Sequence, residues 1–206
     1  MGDIVNLRLL FYTGTVALCL PLGKPGKLPD RQNFYVSFRK PVCYNNGVNF
    51  EKEMDDMAAA VFYLNDPAAP KPNRPAHLGV NILLEWDGKL LLERRRDCGM
   101  WGLPGGGVKG REPERRAMVR ELWEETGIRL PESALQKVAV YGEPGRIASY
   151  PDGSVWRMVV ILYRAKLDRE PRLRISAESR ELRFFTRQEL AELPVICTHR
   201  DMADRF

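Results

Sequence analysis

Residues 104–128 read PGGGVKGREPERRAMVRELWEETGI: three glycines, then a helical stretch that sets Glu121, Glu124 and Glu125 side by side. With Glu121 placed at zero and about 100° per residue, Glu124 falls near 300° and Glu125 near 40°, so the carboxylates share one sector. Like charges at i,i+4 repel by roughly a few tenths of a kcal/mol on an exposed helix. Arg120 stands one turn before Glu124, but no Lys or Arg occupies i−4 of Glu121 or Glu125. Ala117 leaves room on the same face, and Met118 and Leu122 supply an apolar one. A divalent cation resolves the repulsion, because Mg²⁺ binds one or two carboxylates while bridging them to substrate phosphates. A solvated acidic face is the competing reading. The glycines weigh against it: Gly105, Gly106 and Gly107 allow close approaches and leave carbonyls free to act as ligands. Glu112 adds a carboxylate at the loop-to-helix junction.

The helix is well bounded. Pro113 suits its start and Gly127 the left-handed position after its last turn. Upstream, HLGVNILLEWDGKLLLERRR at 77–96 is two apolar strands around Asp87-Gly88, a strong hairpin signal. Downstream, 133–141 and 155–167 read as strands, with YPDGS between them as a tight turn, and ELRFF as a short further strand. Thr186 with Glu189 forms a capping box for a last helix running to Leu193 and stopped by Pro194. Earlier in the chain, strands are expected over 13–22 and 34–39, and a helix over 50–64 with Phe50, Met54, Met57, Val61 and Leu64 as its packing stripe. DPAAPKPNRPA at 66–76 holds four prolines in eleven residues. It reads as a semi-rigid linker, with residues 1–75 as an extension of unknown role and 76–206 as the main domain.

A chain of 206 residues with 44% hydrophobic and 29% charged residues is long enough to bury a full core. A net charge of +5, spread over both halves, suits an anionic small molecule and gives no nucleic-acid arm. Cys19, Cys43, Cys98 and Cys197 form no C-x-x-C pair, which argues against a zinc site or a disulfide framework and for a reducing, cytoplasmic setting. LLFYTGTVALCL at 9–20 is too short to span a bilayer and lacks a cleavage site, so it is read as a strand and no membrane association is expected.

Gly106, Glu112, Arg120-Glu121-Leu122, Glu124-Glu125 and Gly127-Ile128 stand at the spacing of a complete Nudix box. WGLPGG at 101–106 and ESRELRFFTRQELAEL at 178–193 resemble the same family, and the similarity spans about 77–193. Arg111 stands where many members have glycine, and Lys109 where many are acidic; neither is a fixed position. The resemblance implies an α/β (α+β) fold, a Nudix-type α/β/α sandwich with a mixed sheet, here carrying an N-terminal strand and helix extension. It implies hydrolysis of a nucleoside diphosphate linked to another moiety, with Mg²⁺ or Mn²⁺ as cofactor and a small nucleotide as substrate. Glu121, Glu124 and Glu125 would bind metal with the Gly105 carbonyl. Arg120 would orient the carboxylates, and Glu112 would anchor the loop or touch the metal's outer shell. A general base is expected from the box or a downstream loop, Glu178 first and Glu181 second.

For substrate contacts, ERRRD at 93–97 offers guanidinium groups that match two phosphate oxygens at once. Strand alternation puts Arg94 and Arg96 on one face and Arg95 on the other, so only a subset can contribute. Trp101, Tyr150 and Trp156 are stacking platforms, and Arg146 in GEPGR is a phosphate or ribose contact. His77 and His199 lack a triad or ligand context and read as structural. Pro144, sixteen residues beyond the box, resembles the placement in ADP-ribose and ADP-sugar pyrophosphatases. The alternatives are a nucleoside triphosphate pyrophosphatase that clears unwanted nucleotides and a non-catalytic nucleotide-sensing Nudix module. Sugar-nucleotide members that dimerise through an N-terminal strand unit imply a homodimer.

Overall fold

Asp87 and Gly88 both have positive φ, 49° and 67°, the backbone of a two-residue hairpin turn, and they join the two strands around which the rest is built. The computed structural model describes residues 10–12, 15–17 and 59–206. The chain divides into two compact units, Met1–Arg39 and Lys40–Phe206. In the first, β1 (Leu10–Tyr12) pairs antiparallel with β2 (Thr15–Ala17). Of the strand expected over 13–22, β2 is the part that lies among the described residues; the strand at 34–39 and the helix over 50–58 lie outside them.

The second unit runs β3 (Val61–Leu64), β4 (His77–Trp86), β5 (Lys89–Arg95), β6 (Trp101–Gly102), β7 (Gly105–Gly107), α1 (Glu114–Thr126), a short 3-10 turn (Glu132–Ala134), β8 (Gln136–Tyr141), β9 (Arg146–Ser149), β10 (Val155–Leu167), β11 (Ser179–Phe185), α2 (Arg187–Glu192) and α3 (Cys197–Ala203). The strands form one mixed sheet in the order β11-β5-β4-β10-β9-β3, with β6, β7 and β8 attached to β5, β4 and β10. Its centre is the parallel pair β4–β10, registered from Met158↔His77 to Leu167↔Trp86. Near-continuous apolar runs in both strands fit burial on two faces.

Alternation along the strands divides the core. Val80, Ile82, Leu84, Leu91, Ile161, Tyr163 and Leu182 pack beneath Ala117, Met118 and Leu122 of α1. Leu83, Leu90, Leu92, Val160, Leu162 and Phe185 pack beneath Leu190 of α2 and Met202 and Ala203 of α3. The result is the expected α/β/α sandwich.

The helix expected over 50–64 is corrected at its end. Val61–Leu64 is a strand, paired antiparallel with β9 from Val61↔Ser149 to Leu64↔Arg146. VFYL is β-branched and aromatic, and a sheet edge decides its state. The prolines of 66–76 therefore follow a strand of this same sheet. The linker is tied down: Asn73 donates to the Val155 and Gly153 carbonyls, and its side-chain oxygen accepts from the Val155 N–H. The strand expected over 133–141 begins at Gln136, after the 3-10 turn. Among the described residues no helix is long and apolar enough to cross a membrane.

α3 fixes a buried histidine. His199 Nδ1 accepts the Leu103 N–H at 3.0 Å, and its ring lies so close to Gly102 that a Cβ there would stand 2.9 Å from Nδ1. Burial holds its pKa down at about 3. Below the ordinary value of 6.5 the unfolded chain takes a proton that the folded one refuses, so this contribution is intact above pH 6.5 and is lost as pH falls toward 3. Between pH 7 and 5 it costs about 2 kcal/mol. Urea unfolding at the two pH values measures it as the part of the pH slope that disappears in His199→Asn; equal slopes in the two proteins would contradict it.

Candidate active site

The loop and helix of the glutamate motif close on each other through Arg120. Its Nε donates to Glu112 Oε1 at 3.0 Å and its Nη2 to Glu112 Oε2 at 2.9 Å and to the Gly107 carbonyl at 3.0 Å. Its Nη1 reaches Glu121 Oε1 at 2.6 Å and Glu124 Oε2 at 3.1 Å. One guanidinium thus gathers three carboxylates and ties the glycine strand β7 to α1. Hydrogen bonding from Arg120 holds the Glu112 carboxyl below its usual range. Glu124 is the more open of the set and has Lys109 Nζ at 3.8 Å.

Glycine is required where these elements touch. A Cβ on Gly106 would lie 2.6 Å from Glu121 Cδ, and one on Gly105, at φ 148°, would lie 2.0 Å from the Val80 carbonyl oxygen. The Gly105 N–H donates to Glu125 Oε2 at 2.7 Å.

Glu125 is only 6% exposed and Glu93, on β5, 1%. Glu93 lies on the α1 face and accepts from Ser179 Oγ at 2.7 Å. Burial raises both carboxyl pKa values, and the Glu93 charge pushes Glu125 up further. Burial likewise raises Glu121. Among the described residues no set of three or more His, Cys, Asp or Glu side chains is gathered into a metal cage. The donor chemistry nevertheless fits a hard cation: every donor is oxygen, Arg120 takes one oxygen each of Glu121 and Glu124, and Glu93 and Glu125 form no ion pair among the described residues.

The remaining candidates separate sharply. Glu178 is exposed; its carbonyl accepts the Arg96 N–H at 2.9 Å, and its charge acts on Glu93, so it borders the carboxylate group. Glu181 does not. Leu182 and Phe184 pack on the α1 side, so Glu181 belongs to the opposite face, opposite Arg94 in the β11–β5 ladder. Arg94 shares that face and donates to the Gly99 carbonyl, which removes it from the carboxylates. Arg96 is exposed beside Glu178. Arg95 is the strand-end arginine whose charge acts on Glu93 and Glu125, and it is closed on Asp97 by bonds of 2.9 and 2.7 Å. Tyr150 stands near Arg95 and Asp97, its hydroxyl pKa raised by burial.

Trp101 and Arg146 are corrected. Trp101 is buried in the core beneath α2 and α3, edge-on to Phe185 with ring centres 4.7 Å apart. Arg146 is fully buried, bonded to Glu143, Asp201 and the Thr198 carbonyl and stacked on Tyr141 at 4.9 Å. Both are turned into the fold rather than toward solvent. Trp156 packs edge-on to His77, ring centres 5.5 Å apart. Sequence reasoning missed Glu93, although a lone carboxylate two residues after Leu91 in an apolar strand was a usable signal.

A profile of the Nudix domain matches residues 74–206, which cover the whole of this site. The chain belongs to the Nudix hydrolase family. It is 31% identical over 133 residues to a MutT-like protein of Streptomyces ambofaciens, covering 64% of this chain and 78% of that one. It is 38% identical over 88 residues to an ADP-ribose pyrophosphatase of Methanocaldococcus jannaschii, covering 41% of this chain and 49% of that one. Across the curated relatives other than the Streptomyces protein, the chain spans between 36% and 49% of their length. Among solved structures, the Nudix domain of Shewanella oneidensis NrtR, complexed with ADP-ribose, superposes with a TM-score of 0.51 at 22% identity over 68% of this chain and 90% of that one. That likeness is one of fold.

Proposed function

We propose that this Nudix pyrophosphohydrolase cleaves the diphosphate bridge of a nucleoside diphosphate linked to a second moiety, with an ADP-ribose or ADP-sugar type of compound as its substrate. The observation that carries the reading is the buried pair Glu93 and Glu125, which make no direct ion pair among the described residues, next to the Arg120-held Glu121 and Glu124. Glu121, Glu124 and Glu125, with the Gly105 carbonyl, would hold Mg²⁺ or Mn²⁺. When bound, the cation screens phosphate charge, steadies the leaving oxygen and lowers the pKa of water.

The chain's own residues do the rest. Arg120 keeps Glu121 and Glu124 aimed to one side and braces Glu112, so the loop does not relax away. Glu93 adds negative charge beneath Glu125 that favours a cation. Glu178, exposed beside this carboxylate group, would take a proton from attacking water. Glu178→Gln should lower kcat by about 10²-fold or more, the lower range for a general base. Glu181→Gln, on the opposite face, should leave kcat near wild type. Equal losses in the two would remove Glu178 from this role.

A panel of nucleotide pyrophosphates with Mg²⁺ and Mn²⁺, read by product, tests the substrate. ADP-ribose cleavage yields AMP and a sugar phosphate, whereas a nucleoside triphosphate yields pyrophosphate. Triphosphates alone being cleaved overturns the ADP-ribose reading, and no turnover at all overturns hydrolysis.

A further inference from the structure

β10 carries a charged side chain that none of the contacts above uses. Its register against β4 runs unbroken from Met158 to Leu167, with Val160 and Leu162 in the core beneath α2 and α3, and Ile161 and Tyr163 in the core beneath α1. The same alternation carried back puts Arg157 on the α1 face. Its Nε is buried and has no hydrogen-bond partner among the described residues. By contrast Arg95, Arg120 and Arg146 each close on a carboxylate. A buried guanidinium N–H without an acceptor is rare and costly, and an ion supplied from outside would satisfy it.

The position connects to the site through β4 and the glycine loop. Val159 pairs with Leu78, which shares the α1 face with Val80 and Ile82 and is 40% exposed. The Leu78 carbonyl accepts the Val108 N–H at 3.0 Å, and Gly107, the residue before, gives its carbonyl to Arg120 at 3.0 Å. Arg157 is two residues from Val159, a step of roughly 7 Å along the strand.

We infer that Arg157, beside the exposed Leu78, forms an anion subsite for the phosphate of the substrate's diphosphate that is turned away from α1. The guanidinium takes phosphate oxygens, and Leu78 lies under the group that phosphate carries. The subsite rests on the diphosphate substrate proposed above, and its test does not depend on turnover.

Calorimetric titration of the full chain with inorganic pyrophosphate, in Mg²⁺ buffer, compares wild type with Arg157→Gln and Arg157→Lys. Arg157→Gln should weaken binding about tenfold, and Arg157→Lys less, since it keeps the charge but loses the two-oxygen fit. Affinity for Mg²⁺ alone should not change. In turnover KM should rise by a similar factor with kcat held. Unchanged pyrophosphate affinity in Arg157→Gln, or in Arg157→Lys where the glutamine variant does not fold, overturns the subsite. So does a wild-type chain that binds no pyrophosphate at millimolar concentration. Weakened pyrophosphate binding in a protein that cleaves no diphosphate compound keeps the subsite and removes the hydrolase reading.

Discussion

Glu125→Gln is expected to raise the melting temperature of the metal-free protein and to lower metal-dependent turnover by about 10³-fold. The two effects have one cause. Glu125 is buried, accepts one hydrogen bond among the described residues, from the Gly105 N–H at 2.7 Å, and shares its surroundings with the buried Glu93. A carboxylate enclosed beside another carboxylate and lacking a cation costs free energy that a neutral amide does not. Gln keeps an oxygen for Gly105 and removes the charge. A gain of about 1–2 kcal/mol raises the midpoint by several degrees in a chain of this size. The same change removes a ligand from the proposed cation site, so the extra stability conferred by saturating Mg²⁺ or Mn²⁺, which follows RT ln(1 + [L]/Kd), should shrink toward zero. Thermal scans with and without metal, alongside steady-state turnover, check both halves. A variant that is stabilised by metal as wild type is, and turns over as fast, would show that Glu125 serves packing alone.

The stabilising direction distinguishes this site from an ordinary salt-bridged helix face. Arg120 is shared among Glu112, Glu121 and Glu124 through direct ion pairs, and replacing Arg120 should destabilise. Glu125 and Glu93 are the members without a direct ion pair among the described residues, and poorly compensated buried charge is what a functional site stores at the expense of stability.

What could be read from the sequence follows the range of each interaction. α1, its glycine-capped end, the Asp87-Gly88 hairpin, the 155–167 strand and the Thr186–Glu189 capping box were legible because their signals lie within a few residues. β9 was not: RIAS is four residues after a proline and a glycine, and it becomes a strand by bridging β10 and β3. α3 escaped for the same reason, since CTHRDMA shows little apolar periodicity and is held by Met202 and Ala203 in the core. Among site residues, alternation correctly separated Arg94 from Arg95, but nothing local says which face of β5 meets α1. Only assembly of the sheet shows that it is the face of Glu93 and Arg95. Residue type misleads where burial decides: Trp101 reads as a platform until Phe185 is placed against it.

Arg146 is the case where the two readings differ most, and Arg146→Ala should lower stability by about 3–5 kcal/mol. A phosphate contact would be solvent-facing and would have free donors. Arg146 instead is 0% exposed, donates to Glu143 Oε1 and to Asp201 Oδ2 at 2.5 Å each and to the Thr198 carbonyl, and lies over the Tyr141 ring. These contacts join β9 to the turn before it and to α3, so the arginine staples the last helix to the sheet. Truncation leaves the Glu143 and Asp201 carboxylates facing each other without the cation between them, which is why the loss should exceed that of an exposed pair, typically about 0.2–1 kcal/mol. At about 2–4 °C per kcal/mol the midpoint falls by roughly 6–20 °C. Arg146→Lys should recover part of this, because an ammonium keeps the charge but cannot reach both carboxylates and the carbonyl in one plane. The decisive readout is KM below the melting transition. A staple leaves KM at the wild-type value in the folded fraction, whereas a substrate contact raises KM and leaves the midpoint where it was.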